Sequence, residues 1–375
     1  MQLIDLAAQQ ARLRPEIDAA VAAVLDHGAY IMGPEVAQLE GQLASFVGDD
    51  VIVVSCASGT DALLLALMAR GVGPGDAVFV PAFTFPATAE AIALLGAVPV
   101  FVDIDPETYA LDPSRLADAV EELPSHLRPV GVIAVDLYGL PSDYRALSEV
   151  TDRRDMWVVA DAAQSFGGRR DGTAVGALTP LTTTSFFPAK PLGCYGDGGA
   201  VITTEAETAA VLRSLRVHGA GAHKYDIVRV GINGRLDTLQ AAILLVKLGI
   251  FSDEIQRRQQ VATRYTDALA DLDDVVRPMV PCGCASAWAQ YTVRVPGRDA
   301  VAARLREDGI PTAVYYPRPL HQQPPYAGYW RPSAEPAVSL SMASQVLSLP
   351  MHPYLSSADQ DRVVSRLADA LAGRP

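Results

Sequence analysis

A single lysine lies between two prolines in the segment SFFPAKPLGCYGDGGA, residues 185–200. Apolar, β-branched runs on both sides predict strands, so Lys190 would lie on a short connection between two buried strands. Pro188 and Pro191 restrict the backbone, and the glycines that follow allow another group to approach closely. A partly desolvated lysine has a lowered pKa, and its neutral amine attacks carbonyl groups. Lys190 is therefore a candidate nucleophile, with an ordinary loop lysine as the alternative.

A carboxylate ends another apolar run, in MWVVADAAQSFGG. Asp161 follows a predicted buried strand, where an ionised carboxylate is costly unless a cation or hydrogen-bond donors meet it. A helix cap and a structural ion pair are two explanations of this position. A protonated pyridine nitrogen would also pair well with the carboxylate.

A third stretch, SCASGTDALLLAL, predicts a strand, a turn of small residues and a helix. Ser58, Gly59 and Thr60 would present free backbone N–H groups and hydroxyls at the helix N-terminus, which suits a phosphate. On this stretch alone, an ordinary helix cap explains the pattern better. Together with Lys190 and Asp161, however, the stretch supplies the phosphate anchor, ring-nitrogen partner and reactive lysine that pyridoxal phosphate requires.

The elements that must position these residues alternate from Val51 to about Thr204. Seven nearly continuous apolar runs predict buried strands: VIVVS, DAVFVPA, VPVFVDI, PVGVIAVDLYG, MWVVADAA, TTTSFF and GAVITT. Amphipathic helical patterns lie between several of them, so we expect an α/β fold with a mainly parallel seven-stranded sheet. Ligands of such sheets bind beyond the carboxyl ends of the strands. A long helical pattern over 236–272 predicts the connection between a large domain, 1–248, and a smaller α/β domain, 249–375. In the smaller domain, TAVYY, 312–316, predicts a strand.

Composition excludes several other classes of protein. The formal charge of −13 and the pI near 4.9 argue against a nucleic-acid partner. The longest apolar run, 91–102, is too short to cross a membrane, and the first residues do not resemble a signal peptide. The four cysteines have neither zinc-ligand spacing nor the pattern of a disulfide framework. We therefore expect a cytoplasmic protein with free thiols, no metal site and no membrane partner.

Several segments, in this order, resemble the DegT/DnrJ/EryC1/StrS family of nucleotide-sugar aminotransferases. They are HGAYIMGPEV, SGTDAL, PAFTFPATAEAI, VFVDID, DAAQSFG, SFFPAKPLGCYGDGGA, GINGRLDTLQAAIL and SLPMHPYL, and the resemblance extends from about Ile4 to the C-terminus. It implies pyridoxal 5′-phosphate as the cofactor, the fold-type-I aminotransferase architecture, and a homodimer whose active sites lie at the subunit interface.

The resemblance also implies a role for individual residues around the cofactor. Lys190 would hold the cofactor covalently and Asp161 would pair with its pyridine nitrogen. The remaining contacts would be Gln164 near the 3-hydroxyl, Phe85 stacked on the ring, Ser58, Gly59, Thr60 and Ser185 at the phosphate, and Asn233 from the neighbouring subunit. Without the resemblance, Phe85 would be assigned to the core.

The resemblance implies L-glutamate as the amino donor and a keto sugar nucleotide as the acceptor. Arg235 is a candidate clamp for the donor's carboxylate, with an interface salt bridge as the alternative. The motifs look most like the branch that aminates C3 of UDP-2-acetamido-2-deoxy-3-oxo-glucuronic acid for surface polysaccharides. Candidate contacts near this sugar nucleotide, or else small-domain packing residues, are Tyr315, Tyr316, Arg318 and His321. A dTDP-3-keto- or 4-keto-6-deoxyhexose is the alternative acceptor.

Two further hypotheses come from other classes of protein. AQSFG is a near match to a nucleophile elbow, which would make Ser165 the nucleophile of a hydrolase. That motif needs a helix directly after the serine, whereas GGRRDGTAVG is turn-like. The second hypothesis is a regulatory protein without catalysis, against which the presence of Lys190, Asp161 and Gln164 argues.

Overall fold

A computed structural model describes residues 1–48, 50–223 and 225–373 of the chain. Eleven α-helices occur in this part of the chain. They are α1 Leu6–His27, α2 Pro34–Val47, α3 Gly59–Ala69, α4 Ala87–Leu94, α5 Pro113–Glu121, α6 Tyr144–Thr151, α7 Ala206–Leu215, α8 Thr238–Ala268, α9 Arg298–Glu307, α10 Ala337–Gln345 and α11 Ser357–Ala372.

Strands form one large sheet and two small ones. The twelve strands of the described residues are β1 Ile52–Cys56, β2 Asp76–Pro81, β3 Val98–Val102, β4 Arg128–Val135, β5 Trp157–Asp161, β6 Arg169–Arg170, β7 Thr173–Ala174, β8 Leu181–Ser185, β9 Gly199–Thr203, β10 Cys284–Ala285, β11 Tyr291–Arg294 and β12 Val346–Leu349. The large sheet has seven strands in the order β1-β9-β8-β5-β4-β2-β3. Only β9 runs against its neighbours there, so the predicted mainly parallel seven-stranded sheet is confirmed.

Helices cover both faces of the large sheet, which explains why its strands are nearly continuous in apolar character. Successive strand residues point to opposite faces. Val54, Val78 and Val201 pack in the cluster with α3, α4 and α7, whereas their chain neighbours Val53 and Ala77 pack on the other face. Each strand therefore needs apolar residues at consecutive positions, as the seven sequence runs indicated.

The strand directions bring three of the predicted site segments to one edge. Strand β8 is parallel to β5, and β1 and β8 are both antiparallel to β9, so β1, β5 and β8 all point the same way. Their carboxyl ends are Cys56, Asp161 and Ser185. The segments that begin at these ends carry the candidate phosphate cradle, the strand-end carboxylate and the candidate lysine. The expectation that they share one sheet edge is confirmed.

The C-terminal part has its own apolar cluster, built from the end of α8, the antiparallel pair β11–β12, α9 and α11. Helix α8 runs through the predicted boundary at 248/249. Ala241 and Leu244 in its first half pack in the cluster beside β1 and β9, whereas Val261 and Tyr265 in its second half belong to the C-terminal cluster. The division into 1–248 and 249–375 stays a prediction.

One predicted strand was wrong, and several elements had no prediction. The run TAVYY, 312–316, does not form a strand; Ala313 makes one isolated bridge to Ser348. Its apolar pattern arises because the segment passes between the C-terminal cluster and the sheet edge, where Val314, Tyr315 and Tyr316 pack. The sequence patterns also did not predict helices α1, α2 and α10 or strand β12. No helix of the described residues has an apolar stretch long enough to span a bilayer.

Candidate active site

A cavity of about 450 Å³ opens at the carboxyl edge of the large sheet. Ten of the fourteen residues singled out from the sequence line it: Ser58, Gly59, Thr60, Phe85, Asp161, Gln164, Ser185, Lys190, Tyr315 and Tyr316. These residues come from α3, β5, β8 and the segments between elements, and they span 259 positions of the chain, from 58 to 316. The fold therefore assembles the predicted cofactor residues into one enclosed site.

Lys190 lies on a tight connection after β8. Its backbone N–H donates to the Phe187 carbonyl at 2.9 Å, and a Cβ on Gly193 would lie 2.6 Å from that same carbonyl oxygen, so only glycine fits there. Lys247 of α8 stabilises this connection, since its Nζ donates to the Gly193 carbonyl at 2.6 Å. Burial lowers the pKa of the Lys190 ammonium, and the Asp161 carboxylate partly opposes this shift. The neutral, nucleophilic amine is thus favoured relative to a lysine in water.

Asp161 lies at the end of β5 and is 6% exposed. Its Oδ1 accepts from the Ala163 N–H at 3.2 Å and its Oδ2 from the Thr88 hydroxyl at 3.1 Å. Burial raises the pKa of this carboxyl, while the Ala163 N–H, Lys190 and Thr88 lower it. A cationic group placed against this carboxylate would lower the pKa further and stabilise the ionised form. The position suits an acid that pairs with a positively charged ring nitrogen.

The N-terminus of α3 forms a close-packed cradle. Ser58 caps the helix, because its hydroxyl accepts from the Asp61 N–H at 3.0 Å. The N–H groups of Gly59 and Thr60, the first residues of the helix, have no intrahelical acceptor and can donate to an anion. Ser185 lies so near that a Cβ on Gly59 would be 2.6 Å from the Ser185 Cβ. Helix N–H groups and two serine hydroxyls therefore converge, as a phosphate requires.

We expect Gly59→Ala to weaken pyridoxal phosphate binding at least tenfold while the fold persists. The added Cβ must displace Ser185 or the start of α3, which moves the groups that donate to the phosphate away from their binding positions. Gly249→Ala in α8 is the matched control, because a Cβ there meets no atom of the described residues within 4 Å. Absorbance titration of the apoenzyme gives both affinities. Equal affinity in the two variants would contradict the assignment of this cradle.

Gln164 is held in one orientation by Tyr138. The Tyr138 backbone N–H donates to Gln164 Oε1 at 2.7 Å, and Gln164 Nε2 lies 3.4 Å from the Tyr316 hydroxyl. The hydroxyl of Tyr138 also donates to the Tyr315 carbonyl. Because the backbone donor occupies the amide oxygen, Gln164 presents its NH₂ group to the cavity. It can donate to an oxygen of a bound ring.

Phe85 is 55% exposed and lines the cavity. Its apolar sequence context alone would assign it to the core, but the structure does not place it there. Its ring lies 6.2 Å from that of Tyr316. An exposed aromatic face in an otherwise apolar wall is suited to stack against a planar ligand. The stacking role implied by the family resemblance stays a prediction.

Four of the predicted residues lie outside this cavity. Asn233 and Arg318 are exposed, and Arg235 is half-buried with an Nε that has no hydrogen-bond partner among the described residues. His321 is buried beside Phe101, Arg331 and Glu335, where it lines a separate cavity of about 220 Å³. Within one chain, the structure does not bring any of these four side chains to Lys190.

The structure gives no support to a hydrolase that uses Ser165. The Ser165 side chain is 0% exposed, and its hydroxyl donates to Asp136 Oδ2 at 2.6 Å. Residues 163–167 form turns without a helix, so the elbow geometry is missing. In the described residues, no three His, Cys, Asp or Glu side chains cluster as metal ligands would.

Sequence reasoning missed several residues of this site. Ile4, Asp197 and Gln290 line the cavity, and Thr88 bonds to Asp161 from the first turn of α4. Thr88 lies in the motif PAFTFPATAEAI and Asp197 in the turn after Lys190, so both were in quoted segments without a role. Ile4 and Gln290 reach the cavity from the N-terminus and from the segment before β11. No local signal marks either residue.

The side chains present fit pyridoxal phosphate. The helix N-terminus with Ser58 and Ser185 suits a phosphate, the buried Asp161 carboxylate suits a protonated ring nitrogen, and Lys190 presents an amine of lowered pKa in the same cavity. Gln164 and Phe85 add a hydrogen-bond donor and an aromatic face. This set of groups matches the three chemical needs of the cofactor better than those of a carboxylic acid or a metal ion.

Comparison with known proteins agrees with this chemistry. A model of the DegT/DnrJ/EryC1/StrS aminotransferase family matches residues 11–368. UDP-2-acetamido-2-deoxy-3-oxo-D-glucuronate aminotransferase of Pseudomonas aeruginosa is 49% identical over 96% of this chain and 97% of its own. A pleiotropic regulatory protein of Geobacillus stearothermophilus is 41% identical, with coverage of 98% and 97%. A dTDP-3-amino-3,4,6-trideoxy-alpha-D-glucose transaminase of Streptomyces venezuelae is 40% identical, with coverage of 98% and 95%.

Solved structures give the same result. A DegT DnrJ EryC1 StrS aminotransferase from Brucella abortus superposes with a TM-score of 0.96 at 49% identity, and 100% of both chains is covered. DesV of S. venezuelae, solved in complex with a ketimine intermediate, has a TM-score of 0.94 at 39% identity, covering 100% of this chain and 99% of its own. Both the fold-type-I architecture and the cofactor expected from the sequence are thereby confirmed. The chain belongs to the DegT/DnrJ/EryC1/StrS aminotransferase family and is a pyridoxal-phosphate-dependent sugar aminotransferase.

Proposed function

We propose that the protein transfers the amino group of L-glutamate to carbon 3 of UDP-2-acetamido-2-deoxy-3-oxo-glucuronate. The products would be 2-oxoglutarate and the 3-amino sugar nucleotide, and surface polysaccharide synthesis would consume the latter. One observation carries the choice of acceptor: the Pseudomonas relative named for this substrate is 49% identical, against 40% for the relative named for a dTDP-sugar.

Bound in the cavity, pyridoxal phosphate would supply an aldehyde and an electron-accepting ring, which is the chemistry that amino-group transfer needs. Lys190 Nζ would hold the cofactor between turnovers and, once freed, would take a proton from the α-carbon of the amino donor. The Asp161 carboxylate would keep a proton on the ring nitrogen. Ser58, Gly59 and Ser185 would hold the phosphate.

A second copy of the chain would complete the site. The side chains that line the cavity include one cation, Lys190, and two acids, Asp161 and Asp197, whereas the ligands carry phosphates and carboxylates. The segment before α8 carries exposed apolar side chains, with Ile227 at 56% and Val230 at 84% exposure, which is typical of an interface. We therefore propose a homodimer with shared active sites.

In that homodimer, Asn233 of one copy would contact the cofactor phosphate held by the other. Arg235 would clamp the carboxylate of L-glutamate through a bidentate pair. Its Nε lacks a hydrogen-bond partner in the described part of the chain, so this guanidinium has donor capacity to spare. Arg318 and His321 keep their proposed place near the nucleotide. The exposure of Arg318 is compatible with this role, and His321 would have to act from its separate cavity.

A cytoplasmic location is part of the proposal. Its support is that all four cysteines, Cys56, Cys194, Cys282 and Cys284, are free thiols, as is usual in a reducing compartment. Two of them, Cys56 and Cys194, are buried, and burial raises the pKa of the Cys194 thiol to about 11, which keeps it protonated and unreactive.

We expect a single turnover with the UDP-3-oxo-uronate and none with dTDP-4-keto sugars. The enzyme is first loaded with the amino form of the cofactor by L-glutamate and freed of excess donor. A panel of keto sugar nucleotides is then added, and mass spectrometry follows the carbonyl-to-amine change of one mass unit. Turnover with a dTDP-3-keto- or 4-keto-6-deoxyhexose alone would replace the proposed acceptor and leave the aminotransferase chemistry intact.

A further inference from the structure

A residue that lines the active-site cavity carries a buried amide oxygen without a donor among the described residues. Gln290 lines the same cavity as Lys190, just before β11. Its Oε1 is buried and has no hydrogen-bond partner within the described residues. The Gln290 backbone is fixed, since its N–H donates to the Tyr138 carbonyl at 3.4 Å. A buried acceptor without a donor is unfavourable, so a ligand that donates to Oε1 gains affinity.

A small apolar recess of about 10 Å³ is lined in part by Gln290. Three residues, Ile4, Gln290 and Tyr315, line both the recess and the main cavity. The rest of its wall is Leu3, Ala289, Ser348, Leu349 and Met351. The Ser348 hydroxyl is paired with that of Thr292 at 2.8 Å, so the recess offers almost no free polar group. Its size suits one group about as large as a water molecule, such as a methyl.

We propose that Gln290 and this recess form a subsite for an acetamido group on carbon 2 of the sugar. The amide N–H donates to Gln290 Oε1, and the acetyl methyl occupies the recess next to Ile4. The inference rests on the proposed function and deepens it, since it names the part of the substrate that is recognised beside the reacting carbon. It separates 2-acetamido sugars from sugars that carry a 2-hydroxyl.

Other parts of the ligands fit this subsite poorly. A carboxylate of the amino donor would be repelled by an amide oxygen and would lose its hydration in an apolar recess. A 2-hydroxyl is shorter, can take water as its partner, and leaves the recess without an apolar occupant. The Tyr315 carbonyl, which lies in the same wall, already accepts from the Tyr138 hydroxyl. Among the described residues, Gln290 Oε1 is thus an acceptor of this wall that has no donor.

The test compares two ligands that differ only at carbon 2: UDP-2-acetamido-2-deoxy-glucuronic acid and UDP-glucuronic acid. Their dissociation constants are measured by calorimetry on the holoenzyme, without turnover. We expect the wild type to bind the acetamido ligand about tenfold more tightly, the combined effect of one buried methyl and one net hydrogen bond.

In Gln290→Met, we expect this ratio to fall to about threefold or less. In this variant the acetyl methyl fills the recess and keeps water out, so the acetamido N–H has no acceptor. A water molecule can still accept a hydrogen bond from a 2-hydroxyl. Gln290→Asn, which withdraws the oxygen by one methylene, should lower the ratio as well and serves if the first variant does not fold. Gln322→Met is the control, because exposed Gln322 lies outside both the cavity and the recess.

The outcomes separate this inference from the function on which it rests. A Gln290→Met enzyme that keeps the wild-type ratio overturns the acetamido subsite and leaves the proposed reaction standing. A wild type that shows no preference between the two ligands has the same consequence. A wild type that binds neither ligand overturns the proposed class of substrate and the subsite with it.

Discussion

Lys190→Ala is expected to lower the rate of amino-group transfer about 10⁴-fold, the largest effect of any single substitution in this chain. The change removes both the amine that holds the cofactor and the base that moves the proton. In the wild type, borohydride should fix pyridoxal phosphate to one of only three lysines, Lys190, Lys224 and Lys247. Peptide mapping of the reduced protein identifies which one, and we expect it to be Lys190.

Lys247 is the matched control for this experiment. It is 1% exposed, and burial lowers its pKa to about 8, so it too presents a partly neutral amine. Its Nζ, however, donates to the Gly193 carbonyl at 2.6 Å and does not line the cavity. Lys247→Met should therefore leave the borohydride label at position 190. A label at another residue, or none, would force the mechanism to be abandoned.

Asp161→Asn is expected to lower the transfer rate about 10²- to 10³-fold, the size typical of losing one electrostatic stabiliser in an enclosed site. The amide has the same shape, so the cavity persists, but it carries no negative charge to keep the ring nitrogen protonated. Steady-state rates give the effect, and a pH titration of cofactor absorbance reports the protonation of the ring. We expect the pKa seen in that titration to fall in the variant.

Thr88→Val provides the comparison for Asp161. It removes the hydroxyl that donates to Asp161 Oδ2 at 3.1 Å and leaves the carboxylate in place. The loss of one hydrogen bond should cost about tenfold in rate at most. An Asp161→Asn enzyme as active as Thr88→Val would mean that the charge at position 161 is not what the reaction uses.

Much of the fold followed from residue patterns, because both faces of the sheet are buried. Seven nearly continuous apolar runs correspond to the seven strands, since a strand covered on both sides buries consecutive residues. The helices α1, α2 and α10 were not predicted. Four of the 22 residues of α1 are buried, at spacings of four, four and seven positions, so they form one narrow helix face with few apolar residues. The sequence of 312–316 predicted a strand because a segment packed between two apolar clusters needs the same β-branched and aromatic residues as a strand in a sheet.

The residues of the candidate site likewise include some that the sequence could predict and some that it could not. Residues whose role depends on the adjacent backbone could be found from the sequence: Lys190 on its rigid turn, Asp161 at a strand end and Gly59 at a helix start. Residues that act across the fold could not. Thr88 contacts Asp161 from 73 positions away, and Gln290 reaches the cavity only because the segment before β11 packs against Tyr138.

The sequence by itself determined the class of fold, the chemistry of the cofactor site and the family, since strand burial, turn geometry and helix N-termini are local properties of the chain. Only the tertiary structure decided which way each side chain faces. In the folded chain, Phe85 is exposed at the main cavity, whereas His321 is buried at a separate cavity. Gln290 lines a small apolar recess, and its Oε1 has no donor among the described residues. Orientation depends on contacts between residues far apart in the chain, and no local pattern records them.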